Sequence, residues 1–152
     1  DSDAEVSARG RKVAVVAARF NAKIVDDLLQ GAQSAWRERG GDDTNLLIVR
    51  APGAFELPLI SSKLAGSGRY DAVVALGCVI RGDTPHFDYV SGECARGLQQ
   101  AALQTGVPVI FGVLTVNTEE QARERTGGVL GNKGHDAMLA ALETADVLSK
   151  LK

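Results

Sequence analysis

The segment YDAVVALGCVIRGDTPHFDYV, residues 70–90, determines the predicted architecture of this 152-residue chain. Its first half is apolar without alternation, which is typical of a parallel strand that is covered on both faces. Its second half starts a helix, because Thr84 is a good N-cap, Pro85 suits the first turn and Asp88 complements the helix dipole. A buried strand that leads into a helix in this way indicates a βαβ unit.

Strands and helices alternate on both sides of this segment. Further strands are predicted in RKVAVVAARF, TNLLIVRAPG and VPVIFGVLTV, which begin at residues 11, 44 and 107. Helical spacing of apolar residues follows each strand, and a short helix at 119–125 leads through the glycine-rich TGGVLGNKG to a last helix. The pattern predicts an α/β fold, a three-layer αβα sandwich in which a four-stranded parallel sheet has helices on both faces. We predict one domain at residues 12–152 after a flexible tail at 1–11.

Composition excludes several classes of protein. The chain is 45% hydrophobic and 24% charged, its net charge is -2, and its Lys and Arg residues are scattered. Neither a basic stripe for nucleic acid nor a polybasic membrane patch is present, and the apolar runs are too short to span a membrane. Cys78 and Cys94 lie in apolar patterns without metal-ligand spacing, so we expect reduced thiols and no metal. We expect a cytoplasmic protein, or a plastid protein if a transit peptide has been removed.

Chemically versatile side chains follow the predicted strands at their carboxyl ends. In open α/β sheets, ligands bind beyond this edge. Each residue also has an ordinary interpretation: Phe20 as a cap on the core, Asn21 as a helix N-cap and Glu56 as a first-turn acid. Their shared edge favours a small-molecule site. The four strand ends are Phe20–Asn21, Gly53–Glu56, Arg81–His86 and Thr115–Thr118.

The loop at 77–84 matches two patterns that do not fit their usual functions. It reads G-x-x-x-x-G-D-T, but it lacks the P-loop lysine, and Asp83 would repel phosphates, which argues against nucleotide hydrolysis. The Arg-Gly-Asp tripeptide within it is interpreted as a chance match to an adhesion motif. Two features remain. Gly82 allows the backbone to approach a ligand closely, and the N–H groups at the helix start suit an anion. His86 lies in the same turn, where it could exchange protons with a bound substrate or simply pack.

Five motifs together resemble the 6,7-dimethyl-8-ribityllumazine synthase family of riboflavin biosynthesis. They are ARFN, PGAFELP, ALGCVIRGDTPHFDYV, PVIFGVLTVNTEEQARERTG and GNKG. The resemblance covers nearly the whole chain from Val13 onward. It implies a flavodoxin-like fold and the condensation of a pyrimidinedione, 5-amino-6-(D-ribitylamino)uracil, with 3,4-dihydroxy-2-butanone 4-phosphate. It also implies that neither a metal nor a cofactor is needed.

The resemblance further implies residue roles and an assembly. His86 would transfer protons, Phe20 would stack on the pyrimidine, and the family assembles as homopentamers with sites between subunits. The glycine-rich segment resembles members that pack twelve pentamers into an icosahedral shell, with riboflavin synthase as a candidate enclosed partner. Arg125 would face the phosphate from the neighbouring subunit. The other substrate-binding residues implied are Asn21, Ala54, Phe55, Glu56, Cys78, Val79, Ile80, Asp83, Thr84, Phe111 and Lys133.

Two other functions are compatible with the same fold. A flavodoxin-like domain could hold flavin, lumazine or another phosphorylated ligand without turnover, and a shell protein could have a purely structural role. The presence of Phe20, His86 and Arg125 together favours the enzyme. His135, the second histidine of the chain, has no such context and is predicted to be an exposed helix residue.

Overall fold

A four-stranded parallel sheet forms the centre of the protein. The computed structural model describes residues 6–151, so residues 1–5 of the predicted tail and Lys152 lie outside the described part. The strand order is β2-β1-β3-β4, and all three neighbouring pairs are parallel. This confirms the predicted sheet and places β1 and β3 in its interior. The strands are β1 (Val13–Ala18), β2 (Leu46–Ala51), β3 (Ala72–Ile80) and β4 (Val109–Val116).

Helices cover both faces of the sheet and complete the three layers. Helices α1 and α5 pack on one face, and α2 and α3 pack on the other. The short helix α4 follows β4. The helices are α1 (Ala22–Glu38), α2 (Leu57–Ala65), α3 (His86–Thr105), α4 (Glu119–Glu124) and α5 (Lys133–Lys150). Pro58 is the second residue of α2, where its missing N–H costs no helical hydrogen bond.

The core explains why the central strands read as continuous apolar runs. All six residues of β1 are buried, as are the first seven of β3, because each strand is covered on both faces. Trp36 is fully buried, and its indole N–H donates to the carbonyl of Asp42 at 3.1 Å. Helices α1 and α5 approach so closely that a Cβ at Gly134 would lie 1.9 Å from the carbonyl oxygen of Leu28. Only glycine therefore fits at this crossing.

The structure differs from the sequence-based expectations in the glycine-rich segment. This segment forms a small antiparallel hairpin, β5 (Thr126–Gly128) and β6 (Gly131–Asn132), which was not predicted. Positive φ angles at Gly127 and Gly131 permit the tight turn, and such short strands carry no hydrophobic period. Residues 6–11, part of the predicted tail, lie against the domain. Ala8 is buried there, and its N–H donates to the carbonyl of Arg39 at 2.9 Å.

None of the helices within residues 6–151 has both the length and the apolar character needed to cross a membrane. Both cysteines are buried free thiols, as predicted from their apolar surroundings.

His135 differs from its prediction as an exposed residue. It is half-buried in the first turn of α5, and its Nε2 lies 2.9 Å from Glu38 Oε1 on α1. This contact joins residues that are far apart in the sequence, which local spacing could not reveal.

Replacing Ser61 with alanine is expected to raise the free energy of unfolding by about 1 kcal/mol. Ser61 on α2 is fully buried, and within the described residues its Oγ has no hydrogen-bond partner. The hydroxyl therefore loses water on folding without compensation. Urea unfolding of Ser61→Ala measures the change, and Ser62→Ala, at the half-buried neighbouring position, measures the contribution of helix propensity. A loss of stability specific to Ser61→Ala would show that the hydroxyl is bonded in the folded protein.

Candidate active site

The carboxyl ends of β1, β2 and β3 open into a cavity of about 750 Å³. Phe20 and Asn21 reach it from β1, and the turn after β2 contributes a second aromatic ring, Phe55. The end of β3 and the start of α3 complete the wall. Ten of the predicted site residues line this cavity: Phe20, Asn21, Ala54, Phe55, Glu56, Cys78, Val79, Ile80, Thr84 and His86.

Two of the aromatic rings that line the cavity, those of Phe20 and Phe55, are exposed and not part of the core. Phe20 is 70% exposed and Phe55 is 58% exposed. An apolar ring that stands in solvent beside polar groups is well placed to cover a flat heterocycle. The alternative interpretation of Phe20 as a cap on the core is therefore wrong.

Asn21 connects the ends of two neighbouring strands. It occupies the N-cap position of α1 with left-handed backbone angles, φ 60° and ψ 47°, but its side chain does not cap the helix. Its Nδ2 instead donates to the carbonyl oxygen of Cys78 at 2.8 Å. The side-chain oxygen thus remains available as an acceptor. Asparagine tolerates the left-handed region better than most residues, which explains its use at this turn.

Cys78 contributes shape and backbone to the cavity but no reactive thiolate. Burial, with a smaller contribution from the negative charge of Glu119, raises the pKa of the Cys78 thiol to about 11. The thiol is therefore protonated at neutral pH and is a poor nucleophile. The covalent chemistry of a cysteine enzyme is not supported at this position.

The start of α3 brings a loop, a helix end and an imidazole together. The helix begins at His86 with Pro85 at its N-cap position, one residue later than the predicted Thr84 cap. Thr84 still contributes, because its Oγ1 accepts from the N–H of His86 at a long 3.4 Å. A Cβ added at Gly82 would meet no atom within 4 Å, so the loop is open there to a ligand. Asp83 is exposed in this loop and is not among the residues that line the cavity.

A second cavity, of about 400 Å³, lies along β4 and the start of α5. It is lined by the three remaining predicted residues, Phe111, Arg125 and Lys133, and it shares no lining residue with the first cavity. Arg125 follows α4, and its Nη1 donates to the carbonyl of Gln121 at 2.8 Å. Among residues 6–151, Arg125 and Lys133 line the second cavity, whereas no Lys or Arg lines the first.

Some lining residues were not predicted from the sequence. Phe87, Tyr89 and Val90 on α3 are not among the predicted site residues, yet all three line the larger cavity. Asp136 lines the smaller cavity beside Lys133. The available signal was helical spacing, because Tyr89 and Asp136 lie three residues after His86 and Lys133 and share their helix faces.

Comparison with known proteins identifies the family. The sequence model of the 6,7-dimethyl-8-ribityllumazine synthases matches residues 10–149. The chain belongs to this family. Two relatives described as 6,7-dimethyl-8-ribityllumazine synthase, from Nitratidesulfovibrio vulgaris strains DP4 and Hildenborough, are each 54% identical to it over 149 residues. The alignment covers 98% of this chain and 96% of each relative.

Family membership confirms the function predicted from the sequence. The chain is a transferase of riboflavin biosynthesis that makes 6,7-dimethyl-8-ribityllumazine. The purely structural and the non-catalytic binding interpretations are not favoured. Within residues 6–151, no three His, Cys, Asp or Glu side chains are grouped so that they could hold a metal ion.

Proposed function

We propose that the chain condenses 5-amino-6-(D-ribitylamino)uracil with 3,4-dihydroxy-2-butanone 4-phosphate in the larger cavity, with His86 as the proton-transfer residue. The observation that carries this proposal is that Phe20 and His86 line one cavity of about 750 Å³. A flat ring can hold the heterocycle by stacking, and a proton carrier can serve the condensation of an amine with a carbonyl. The volume of the cavity lies within the range of small-molecule sites, roughly 300–1,000 Å³.

The pyrimidine and ribityl parts of the first substrate match one side of the cavity. Phe20 would stack on the pyrimidine ring. Asn21 and Glu56 would accept hydrogen bonds from ribityl hydroxyls, since the Asn21 side-chain oxygen is an acceptor and its nitrogen already binds Cys78. The backbone and side chains of Ala54, Phe55, Cys78, Val79 and Ile80 would form the walls.

The phosphate of the second substrate matches the start of α3. The 20-residue helix directs its first N–H groups and the positive end of its dipole toward the loop at 81–86. Thr84 can donate its hydroxyl, because that oxygen acts only as an acceptor toward His86. Asp83 would contribute its backbone N–H and keep its carboxylate in solvent.

The cation for this phosphate would come from a neighbouring copy of the chain. In the part of the chain that the structure describes, no Lys or Arg lines the larger cavity, whereas Arg125 and Lys133 line the smaller cavity with Phe111. The planar fork of Arg125 can bind two phosphate oxygens, and Lys133 would lie nearer the heterocycle. A contact between two different surfaces of the same chain forms a ring when its rotation closes, and an open filament when it does not. We propose that the chain forms the homopentamer of the family. We propose further that twelve pentamers form a shell that encloses riboflavin synthase.

The reaction then proceeds without a bound cofactor through steps that move protons. The amine attacks the ketone to give an imine and release water, phosphate is eliminated, and tautomerisation, ring closure and a second dehydration follow. His86 accepts and returns protons in these steps. Holding both reactants in one orientation contributes much of the rate.

The buried thiols of Cys78 and Cys94 support a reducing compartment, which we propose to be the cytoplasm.

Mixing the protein with both substrates tests this function. We expect a yellow fluorescent product and one inorganic phosphate per product, formed faster than in the spontaneous reaction. Omitting either substrate is the control. Ligand binding without product above the spontaneous background would contradict the enzyme and favour the binding domain.

A further inference from the structure

Arg81 joins the loop before α3 to the end of β4 through its backbone and its side chain. Its N–H donates to the carbonyl of Val116 at 2.8 Å, and its Nε donates to Asn117 Oδ1 at 2.9 Å. Its guanidinium carbon lies 4.5 Å from the centre of the Phe87 ring, and its Nη1 lies 3.8 Å from Asp88 Oδ1. Arg81 thus contacts the residues on the C-terminal side of His86 and the segment that leads into α4.

The hydrogen bonds continue from Asn117 to Arg125. The N–H of Asn117 donates to Gln121 Oε1 at 2.7 Å, and the carbonyl of Gln121 accepts from Arg125 Nη1 at 2.8 Å. We call Arg81, Asn117 and Gln121 the Arg81 bridge. It runs from the wall of the larger cavity to the cation of the smaller one.

We propose that Arg81 is a positioning residue: it fixes the loop at 81–86 and the first turn of α3, so that the phosphate-binding groups and His86 are held in their working geometry. The proposal rests on the proposed function of that loop. Arg81 lines neither the larger nor the smaller cavity, so it acts through Phe87 and Asn117 and not on substrate.

The contacts require an arginine and not merely a positive charge. The guanidinium lies over the Phe87 ring while its Nε donates to Asn117, and a planar group can do both at once. An ammonium could replace the charge but not this pair of contacts. Because the Arg81 side chain is half-exposed, its contacts with Asp88 and Asn117 contribute little to global stability. We therefore expect its loss to change the alignment of the loop and not the folding of the chain.

Four variants test the proposal in the full-length assembled protein. Arg81→Met keeps an unbranched side chain but removes the guanidinium. We expect KM for the butanone phosphate to rise about tenfold, with KM for the pyrimidinedione changed less than about twofold and the thermal midpoint by no more than about 2 °C. Arg81→Lys should recover only part of the loss. Asn117→Ala should raise the same KM, and the double variant should be no worse than Arg81→Met, because both residues act in one unit.

The matched control is Arg96→Met. Arg96 is an exposed arginine on α3, the helix that follows the loop of Arg81, with an ion pair to Glu93, and its loss should leave both KM values and the turnover number unchanged. Binding of inorganic phosphate, measured by calorimetry, gives a second readout that does not need turnover. We expect it to weaken about tenfold in Arg81→Met and not in Arg96→Met.

Two results would overturn the proposal. Unchanged phosphate affinity and KM in Arg81→Met would show that the Arg81 bridge does not position the loop. An equal fall in kcat/KM for both substrates, together with a large drop in the thermal midpoint, would show that Arg81 is only structural. An inactive wild-type protein would instead contradict the proposed function, while the phosphate affinities of the variants would still decide the role of Arg81.

Discussion

His86→Ala is expected to lower the turnover number by about a hundredfold, with KM for either substrate changed only a few-fold. His86 is exposed in the first turn of α3 and lines the larger cavity, where the amine, the ketone and the phosphate would meet. Imine formation, phosphate elimination and tautomerisation each move a proton. Without the imidazole, water must carry these protons. The loss stays near the lower end of the range for general acid–base catalysis, because the site still holds both reactants together.

Steady-state assays that follow product fluorescence measure this effect. His135→Ala is the matched control, because it removes the other histidine of the chain, which contacts Glu38 on α1 and lines neither cavity. We expect wild-type turnover from it. A wild-type turnover number in His86→Ala would exclude His86 from the mechanism. Equal losses in both variants would indicate a general effect on the fold.

The sheet and the edge at which the candidate site lies were predictable from local sequence. Buried strands such as β3 read as unbroken apolar runs, because they are covered on both faces. Phe20 follows the carboxyl end of β1 and His86 follows that of β3, so both residues lie at one edge because the two strands are parallel. Ligands of open α/β sheets bind beyond this edge. Chain topology alone thus places these residues together.

Long-range polar contacts were not predictable in the same way. Local sequence suggests that the side chain of Asn21 caps its own helix, but it donates to the carbonyl of Cys78, 57 positions away. The hydrogen bond from Arg81 to Asn117 spans 36 positions. Such bonds depend on which segments become neighbours after the sheet has formed, and no local period or spacing in either segment predicts that. Only the resemblance to the family assigned Arg125 to a different half of the site.

Combining two impaired variants in one assembly is expected to restore activity. Arg125→Met removes the cation that would face the phosphate, and we expect it to lower kcat/KM by about a hundredfold, as for the loss of charge-assisted hydrogen bonds. His86→Ala impairs the other cavity. If each site combines the larger cavity of one chain with the smaller cavity of its neighbour, some sites in mixed rings contain both an intact His86 and an intact Arg125. In random rings made from equal amounts of the two chains, about one quarter of the sites are of this kind.

Co-expression of the two variants with different affinity tags, followed by purification on both tags, gives the mixed rings. Their product formation should approach a quarter of the wild-type rate, far above the mean of the two parents. Co-expression of His86→Ala with the double variant His86→Ala/Arg125→Met is the control, because no intact His86 is present and no activity should return. Mixed rings no more active than their parents would place both residues in a site within one chain. Recovery would require His86 and Arg125 to act from neighbouring chains, because no chain in the mixture carries both.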